Sequence, residues 1–260
     1  MKLRTALLVF LSAFLVFLLL GTPAARLQAW LAPKDGAIPL IQLQGLSGSI
    51  GGGSASGLLM RQQPVLRDLH WDFLPSQLLL GRVAIDLRAA DPVLEARVSS
   101  GLGGQRIGDL RLVGELRSLL TLAGQAYLPF AGQVGLELQQ AHLRQGWPVS
   151  AAGRLEIRRL AYTLARDPVV FGDYEATIQP EGDDLVILVQ TLTGPLQANG
   201  DGRLKPDRSY EFHLQLKAPP EAPPMVQNFL RSQGSPDAQG YYHLRKQGQL
   251  PPSGGAAPPA

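Results

Sequence analysis

The side chains able to do chemistry are few, and they are scattered. The four histidines, His70, His142, His213 and His243, stand alone. No two share the i, i+4 or His-x-Glu spacing that brings imidazoles onto one zinc ion, so solvated or half-packed strand positions account for them better. Glu181, Asp183 and Asp184 crowd one short stretch and could touch a calcium ion. Aspartate is also favoured in turns because its carboxylate bonds to nearby backbone N–H groups. The run Gly48–Gly57 invites a phosphate-loop reading but lacks the Gly-Lys-Ser/Thr ending whose lysine meets the phosphates. Glycine at that density reads instead as a strand pair or bulged turn. There is no Gly-x-Ser-x-Gly elbow. With no cysteine, a thiol nucleophile, a thiolate metal site and a disulfide framework are all excluded. These residues point away from an enzyme and call for no cofactor.

The charge balance narrows the partners. The formal charge is +3 and the pI about 9.3, which suggests nucleic acid until the charges are located. Lys2, Arg4 and Arg26 are three of the 24 basic residues, and the 21 that remain match the 21 acidic ones. The body of the chain is therefore neutral, with Lys and Arg spread singly. A nucleic-acid binder needs a clustered basic face to neutralise phosphates, and none is present.

The elements that must carry this body begin with an apolar run. Between residues 7 and 20 every position except Ser12 and Ala13 is Leu, Val or Phe: Leu7, Leu8, Val9, Phe10, Leu11, Phe14, Leu15, Val16, Phe17, Leu18, Leu19 and Leu20. Their summed insertion free energy is about −4 to −7 kcal/mol. The uncharged stretch Thr5–Ala25 has 21 residues, enough at about 1.5 Å per residue to cross a hydrocarbon core of about 30 Å. Small residues at Thr22-Pro23-Ala24-Ala25 also permit a cleaved signal peptide. The length of the run, Pro23 inside the candidate cleavage site, and Arg26 with Trp30 as interfacial anchors favour a retained span. Lys2 and Arg4 put the amino terminus in the cytoplasm by the positive-inside rule. The expected organisation is a cytoplasmic 1–5, an anchor over 6–25, an extracytoplasmic β-rich domain over 26–250, and a Pro/Gly-rich tail over 251–260 with nothing to bury.

Beyond the anchor the pattern has period two. Val83, Ile85 and Leu87 alternate with charged residues, and the same rhythm returns at Leu94-Ala96-Val98, Val134-Leu136-Leu138, and Leu155-Ile157 between Arg154, Glu156 and Arg158. It continues through Phe171–Ile178, Leu185–Val189, Leu196–Leu204, Tyr210–Leu216 and Tyr241–Leu250. Turn formers such as Gly182-Asp183 and Lys205-Pro206-Asp207-Arg208 stand between the runs. Short strands joined this way make an antiparallel meander, because parallel strands would need helical crossovers. Two stretches have helical spacing instead: Glu115–Tyr127, and Pro223–Arg231 with proline in its first turn and Gly234 beyond its end. The fold class is mainly β, a transmembrane helix followed by a curved antiparallel meander, an open groove or twisted sheet, with one or two short helices.

A set of short motifs in order carries a resemblance. Leu46-Ser47-Gly48-Ser49-Ile50 is followed by Gly53-Ser54-Ala55, then Leu69-His70-Trp71. Next comes Leu74-Pro75-Ser76-Gln77-Leu78-Leu79-Leu80-Gly81-Arg82 running into a strand, and near the end Pro236-Asp237-Ala238-Gln239-Gly240-Tyr241-Tyr242. Together they resemble protein N of the bacterial type II secretion pathway, over the anchor and nearly all of residues 27–250. Gly51 stands where that family usually has an aromatic residue, and the tail after Leu250 is an extension. The resemblance implies a single-pass inner-membrane subunit with a β-rich periplasmic domain, accessory to the machine that exports folded proteins. Its expected partners are other subunits of that system, in the inner-membrane platform and at the secretin. The chain is also similar in character to AsmA-like envelope proteins, whose sheets curl into an open groove.

Contacts are then expected from the spanning helix Leu7–Leu20, the amphipathic entry Arg26–Leu31, the edges of the sheet and the Leu78–Leu87 element, although burial of that last element in the core is the stronger expectation. Trp71 and Trp147 are expected in the core or lining a groove. The alternative function is lipid or lipopolysaccharide handling. A carrier of that kind needs an apolar inner face, with Glu137, Arg154 and Glu156 turned away from it.

Overall fold

Strands fill most of the computed structural model, which describes residues 21–26, 41–60, 62–122, 125, 127–164 and 167–250. They fall into two compact units, residues 1–99 and 100–260. Among the described residues no helix is long and apolar enough to cross a membrane. The expected anchor over 6–25 lies outside the described residues up to Leu20. So do the entry segment after Arg26, with Trp30, and the tail 251–260.

The first unit contains β1 (Ile41–Gln44), β2 (Ser47–Gly48), β3 (Gly52–Met60), β4 (Gln63–Phe73), a 3-10 turn at Pro75–Leu80, β5 (Arg82–Ala90) and β6 (Val93–Gly101). Strand order is β1-β3-β4-β5-β6, with β2 paired to β3. The register sets Ala55 opposite Leu69, Gly53 opposite Trp71, and Trp71 opposite Leu87. One face thus gathers Leu43, Ala55, Leu69, Trp71 and Ala89 into a buried cluster, with Ile85, Leu87 and Leu94 packed against it. The predicted Val83-Ile85-Leu87 face exists, but Val83 at the strand's start is 50% exposed.

The second unit runs β7 (Gly104–Glu115), α1 (Leu116–Leu122), β8 (Phe130–Arg144), β9 (Trp147–Tyr162), β10 (Val169–Glu181), β11 (Asp184–Thr193), β12 (Gln197–Leu204), β13 (Ser209–Lys217), α2 (Pro224–Ser232) and β14 (Tyr242–Gln249). From β7 to β14 each strand pairs antiparallel with the next, the meander expected from short turns. The first predicted helix is shorter than its pattern, since Glu115 still belongs to β7. The second has proline in its first turn, and Val226 and Leu230, four residues apart, are fully buried on its inner side.

Candidate functional site

The residues with the widest chemistry have ordinary structural jobs. Asp237 Oδ1 accepts the N–H groups of Gln239 at 2.8 Å and Tyr241 at 2.9 Å, while His243 Nε2 lies 2.8 Å from Oδ2. The His243 hydrogen bond, followed by the Tyr241 N–H, holds the Asp237 carboxyl below its ordinary value. With Gly240 at φ +82, this loop turns the chain into β14. Arg203 bridges the acidic turn, reaching Glu181 at 2.7 Å and Asp184 at 3.1 Å. No group of three metal-binding side chains occurs among the described residues. His70 contacts the Asp68 carbonyl, and His213 is exposed opposite Arg245.

In the first unit the glycine-rich run forms the β2–β3 hairpin. A Cβ at Gly53 would strike the Trp71 ring and the Ser47 carbonyl, so only glycine lets the indole lie flat there. The indole N–H is shared between the carbonyls of Ser49, at 3.1 Å, and Ile50, at 3.2 Å. Beside them the segment after the apolar run pairs with the same hairpin. The N–H of Ala24 donates to the Gly48 carbonyl at 3.0 Å, and that of Ile50 to the Thr22 carbonyl at 2.9 Å. Pro23 bridges Ser49, and Ala24 is completely buried.

The Leu74–Arg82 motif is a capped turn. The Leu74 N–H donates to the Ala84 carbonyl at 2.9 Å, and Gly81, at φ +68, closes the turn with its N–H on the Leu78 carbonyl. Pro75 starts the turn and is exposed, whereas Leu78 is half-buried. The expected burial of Leu78–Leu87 fails near its start, where Leu79 is 90% and Leu80 66% exposed. A 3-10 turn has three residues per turn, so consecutive leucines cannot all face the sheet.

In the second unit the register aligns a single apolar face across eight strands. Leu112, Leu136, Leu155, Ala176 and Val189 succeed one another from β7 to β11, and Leu214 and Leu244 continue the row on β13 and β14. The opposite face is charged and cross-paired. Arg154 meets Glu175 at 3.4 Å, Arg158 meets Glu156 at 2.9 Å, and Lys205 meets Glu211 at 2.6 Å. Glu137, with Arg111 at 3.9 Å, lies on that face as well.

The apolar face bounds a cavity of about 770 Å³. Its walls come from every strand between β8 and β14 and from Met225, Asn228 and Phe229 of α2. Seven strands laid flat would span roughly 29 Å at about 4.8 Å spacing, whereas a sphere of that volume is only about 11 Å across. The sheet of this unit therefore curls into a trough, with α2 lying over one end. Gly202 aids the curl, because a Cβ there would run into the Phe212 ring. Tyr174 sits at the floor with its hydroxyl donating to the Leu196 carbonyl at 2.8 Å. Burial, then the charge of Asp173, pushes its phenol well above the usual range, so the floor stays neutral. Trp147 is outside the trough, half-buried, with its N–H on the Lys205 carbonyl at 3.2 Å and Arg208 over its ring.

A model of the family described as type II secretion system (T2SS), protein N, matches residues 39–245. The chain belongs to the type II secretion system protein N family. Among proteins named as type II secretion system protein N, one from Aeromonas hydrophila is 28% identical over 253 residues, covering 93% of this chain and 96% of its own length. Another, from Vibrio cholerae serotype O1 (strain ATCC 39315 / El Tor Inaba N16961), is 24% identical over 216 residues, covering 81% of this chain and 85% of its own. No solved structure matches the chain. Of the motifs that carried the resemblance, Leu74–Arg82 is a turn leading into β5, and Pro236–Tyr241 is a loop ahead of β14 rather than part of the closing strand. An open groove was implied by the resemblance, without the residues that line it. The signal for that lining was present in each strand's alternation, but only the pairing register puts those separate stripes on one surface.

Proposed function

We propose that this chain is a non-enzymatic accessory subunit of the type II secretion system, held in the inner membrane by residues 6–25 and acting through protein contacts in the periplasm. Residues 1–5 are then cytoplasmic. The observation that carries the retained anchor is the pairing of Thr22–Ala24 with Gly48–Ile50. Cleavage after Ala24 or Ala25 would detach the buried Ala24 methyl and both hydrogen bonds from the domain that follows. A signal peptide is discarded and has no reason to be built into a core, whereas an anchor gains a fixed attachment.

The contact surface is the knob formed by Leu79 and Leu80, joined by Val83. Adjacent exposed leucines on a capped turn make a contiguous apolar patch that a partner's pocket can cover. Strand β14, last in the strand order, offers a sheet edge that a neighbouring subunit can extend. Deleting the gene should abolish release of exported proteins, and the wild-type chain should restore it. A chain bearing Leu79→Ser and Leu80→Ser should accumulate normally yet fail to restore export or to co-purify platform subunits. Full export from a form whose first 25 residues are replaced by a cleavable signal would overturn the retained anchor.

A further inference from the structure

We propose that the free edge of β14 takes up an acidic, extended segment of a neighbouring subunit as an added antiparallel strand, with Arg245 and Lys246 pairing its acids. This rests on the reading that a neighbour extends this edge, and adds to it the chemistry and register of the segment. The direction of the backbone groups comes first. The Leu250 N–H donates to the Arg208 carbonyl at 3.0 Å, and the ladder runs back from there, Gln249 opposite Ser209, to Tyr242 opposite Leu216. In an antiparallel ladder, opposed residues alternate between exchanging both hydrogen bonds and exchanging none. Gly248, Lys246, Leu244 and Tyr242 therefore bond inward to β13. His243, Arg245, Gln247 and Gln249 turn their N–H and C=O groups to the open side, where no described strand pairs with them. The outward slot just before these is filled by the chain itself, and by an acid. Asp237 donates its N–H to the Tyr241 carbonyl at 2.9 Å and accepts the Tyr241 N–H at 2.9 Å. That loop marks where an added strand must stop.

Charge then selects the segment. Arg245 and Lys246 are exposed, and neither makes an ion pair or a side-chain hydrogen bond among the described residues. Leu244 lines the trough, so Lys246 shares its face and Arg245 points to the other, with His213 between it and Asp201. A strand laid antiparallel along this edge meets one cation on each face at successive positions. Its next residue, opposite Leu244, falls on the apolar side. Read from its amino end the segment is acid, acid, apolar. Strand β11 enters the sheet in that order, Asp183-Asp184-Leu185, and Arg203 of β12 holds Asp184 at 3.1 Å. A second copy does not meet the requirement. Two β14 strands paired about this centre would oppose cation to cation, and β1, the edge strand of the first unit, has no acid.

The test uses the full chain in detergent micelles with a fluorescein-labelled peptide, Ser-Thr-Glu-Glu-Leu-Thr-Val-Thr, and a control in which Lys-Lys replaces Glu-Glu. Anisotropy should show saturable binding of the Glu-Glu peptide, about tenfold tighter than of the control and weakened by salt. The preference should reverse in a chain bearing Arg245→Glu and Lys246→Glu, and vanish with Arg245→Gln and Lys246→Gln. Amide exchange over Tyr242–Gln249 should slow with the Glu-Glu peptide bound, while β11 is unchanged. No binding, equal binding of the two peptides, or a preference that survives both pairs of substitutions would overturn the acidic partner. Binding without slower exchange on β14 would overturn the added strand. Exchange on β14 that slows as the chain alone is concentrated would make a second copy the occupant and overturn the proposal as well. No other subunit is present in this assay, so a negative result leaves the secretion role to its own tests, gene deletion and the Leu79→Ser, Leu80→Ser chain.

Discussion

The two units are built from the same alternating strands and dispose of their apolar faces in opposite ways. In the first, small residues such as Ala24, Ala55 and Ala89 close over Trp71, and the face is sealed. Among its described residues the exposed large apolar side chains are Leu79 and Leu80 on the 3-10 turn, with Val83 and Val93 at the starts of β5 and β6. In the second, the face is lined by Leu, Ile and Val on strands that curl around a space, and α2 covers one end of it. Alternation alone does not decide between a sealed core and an open trough. The difference comes from what lies over the face: a flat indole seated on glycine in one unit, a single amphipathic helix in the other.

Substitutions can break this contrast unit by unit. The largest effect is expected for Trp71→Ala, about 3–5 kcal/mol, seen in hydrogen exchange as deprotection of β3–β5 while β10–β13 keep their protection. Next comes Leu230→Ala at about 2–5 kcal/mol, which should undock α2, raise binding of a dye for exposed apolar surface, and leave the Trp71 environment unchanged in fluorescence. Gly202→Val should cost about 1–3 kcal/mol by overpacking against Phe212, measured as a lower denaturant midpoint with an unaltered slope. The Leu79→Ser, Leu80→Ser pair should move stability by no more than about 0.5 kcal/mol, so any loss of export it causes reports on contact rather than folding.

The smallest effect concerns pH at the Asp237 turn. A carboxyl whose folded value is lowered contributes stability that is fully present above its unfolded value of about 3.9. That contribution is lost as pH falls through the lower folded value. Amide exchange at Gln239 and Tyr241, followed downward from neutral pH, should therefore quicken only in acid, and Asp237→Asn should flatten the change.

Much of the architecture was legible residue by residue. Proline at 224 and Gly234 bracketed α2, and Gly182-Asp183 marked the β10–β11 turn. The strand character of Leu155–Ile157 followed from its charged neighbours. Exposure of Leu79 and Leu80 was not legible, because a run of three leucines after proline has no period from which to assign sides. Curvature was implied by the resemblance to open-groove envelope proteins, not by any strand taken alone. It depends on how bulges at Arg159 and Asp173, the left-handed backbone at Asp109 and close approaches such as Gly202 to Phe212 add up over eight strands, and no local window contains that sum. Nor could the sequence alone show that Glu137, Arg154 and Glu156 share an outer face, since they sit on different strands and only pairing relates them.

The docking of Thr22–Ala24 into the β2–β3 hairpin has a mechanical side. Tension applied at Gly21 reaches the first unit through two hydrogen bonds and a buried methyl, with no slack to take up. A flexible leash as long as the stretch 27–40 would absorb roughly 20 Å of movement before pulling taut. Here displacement by a single residue's rise, about 3.4 Å, is already felt at the Trp71 core. The joint is a post rather than a string, and whatever moves Gly21 moves the hairpin with it.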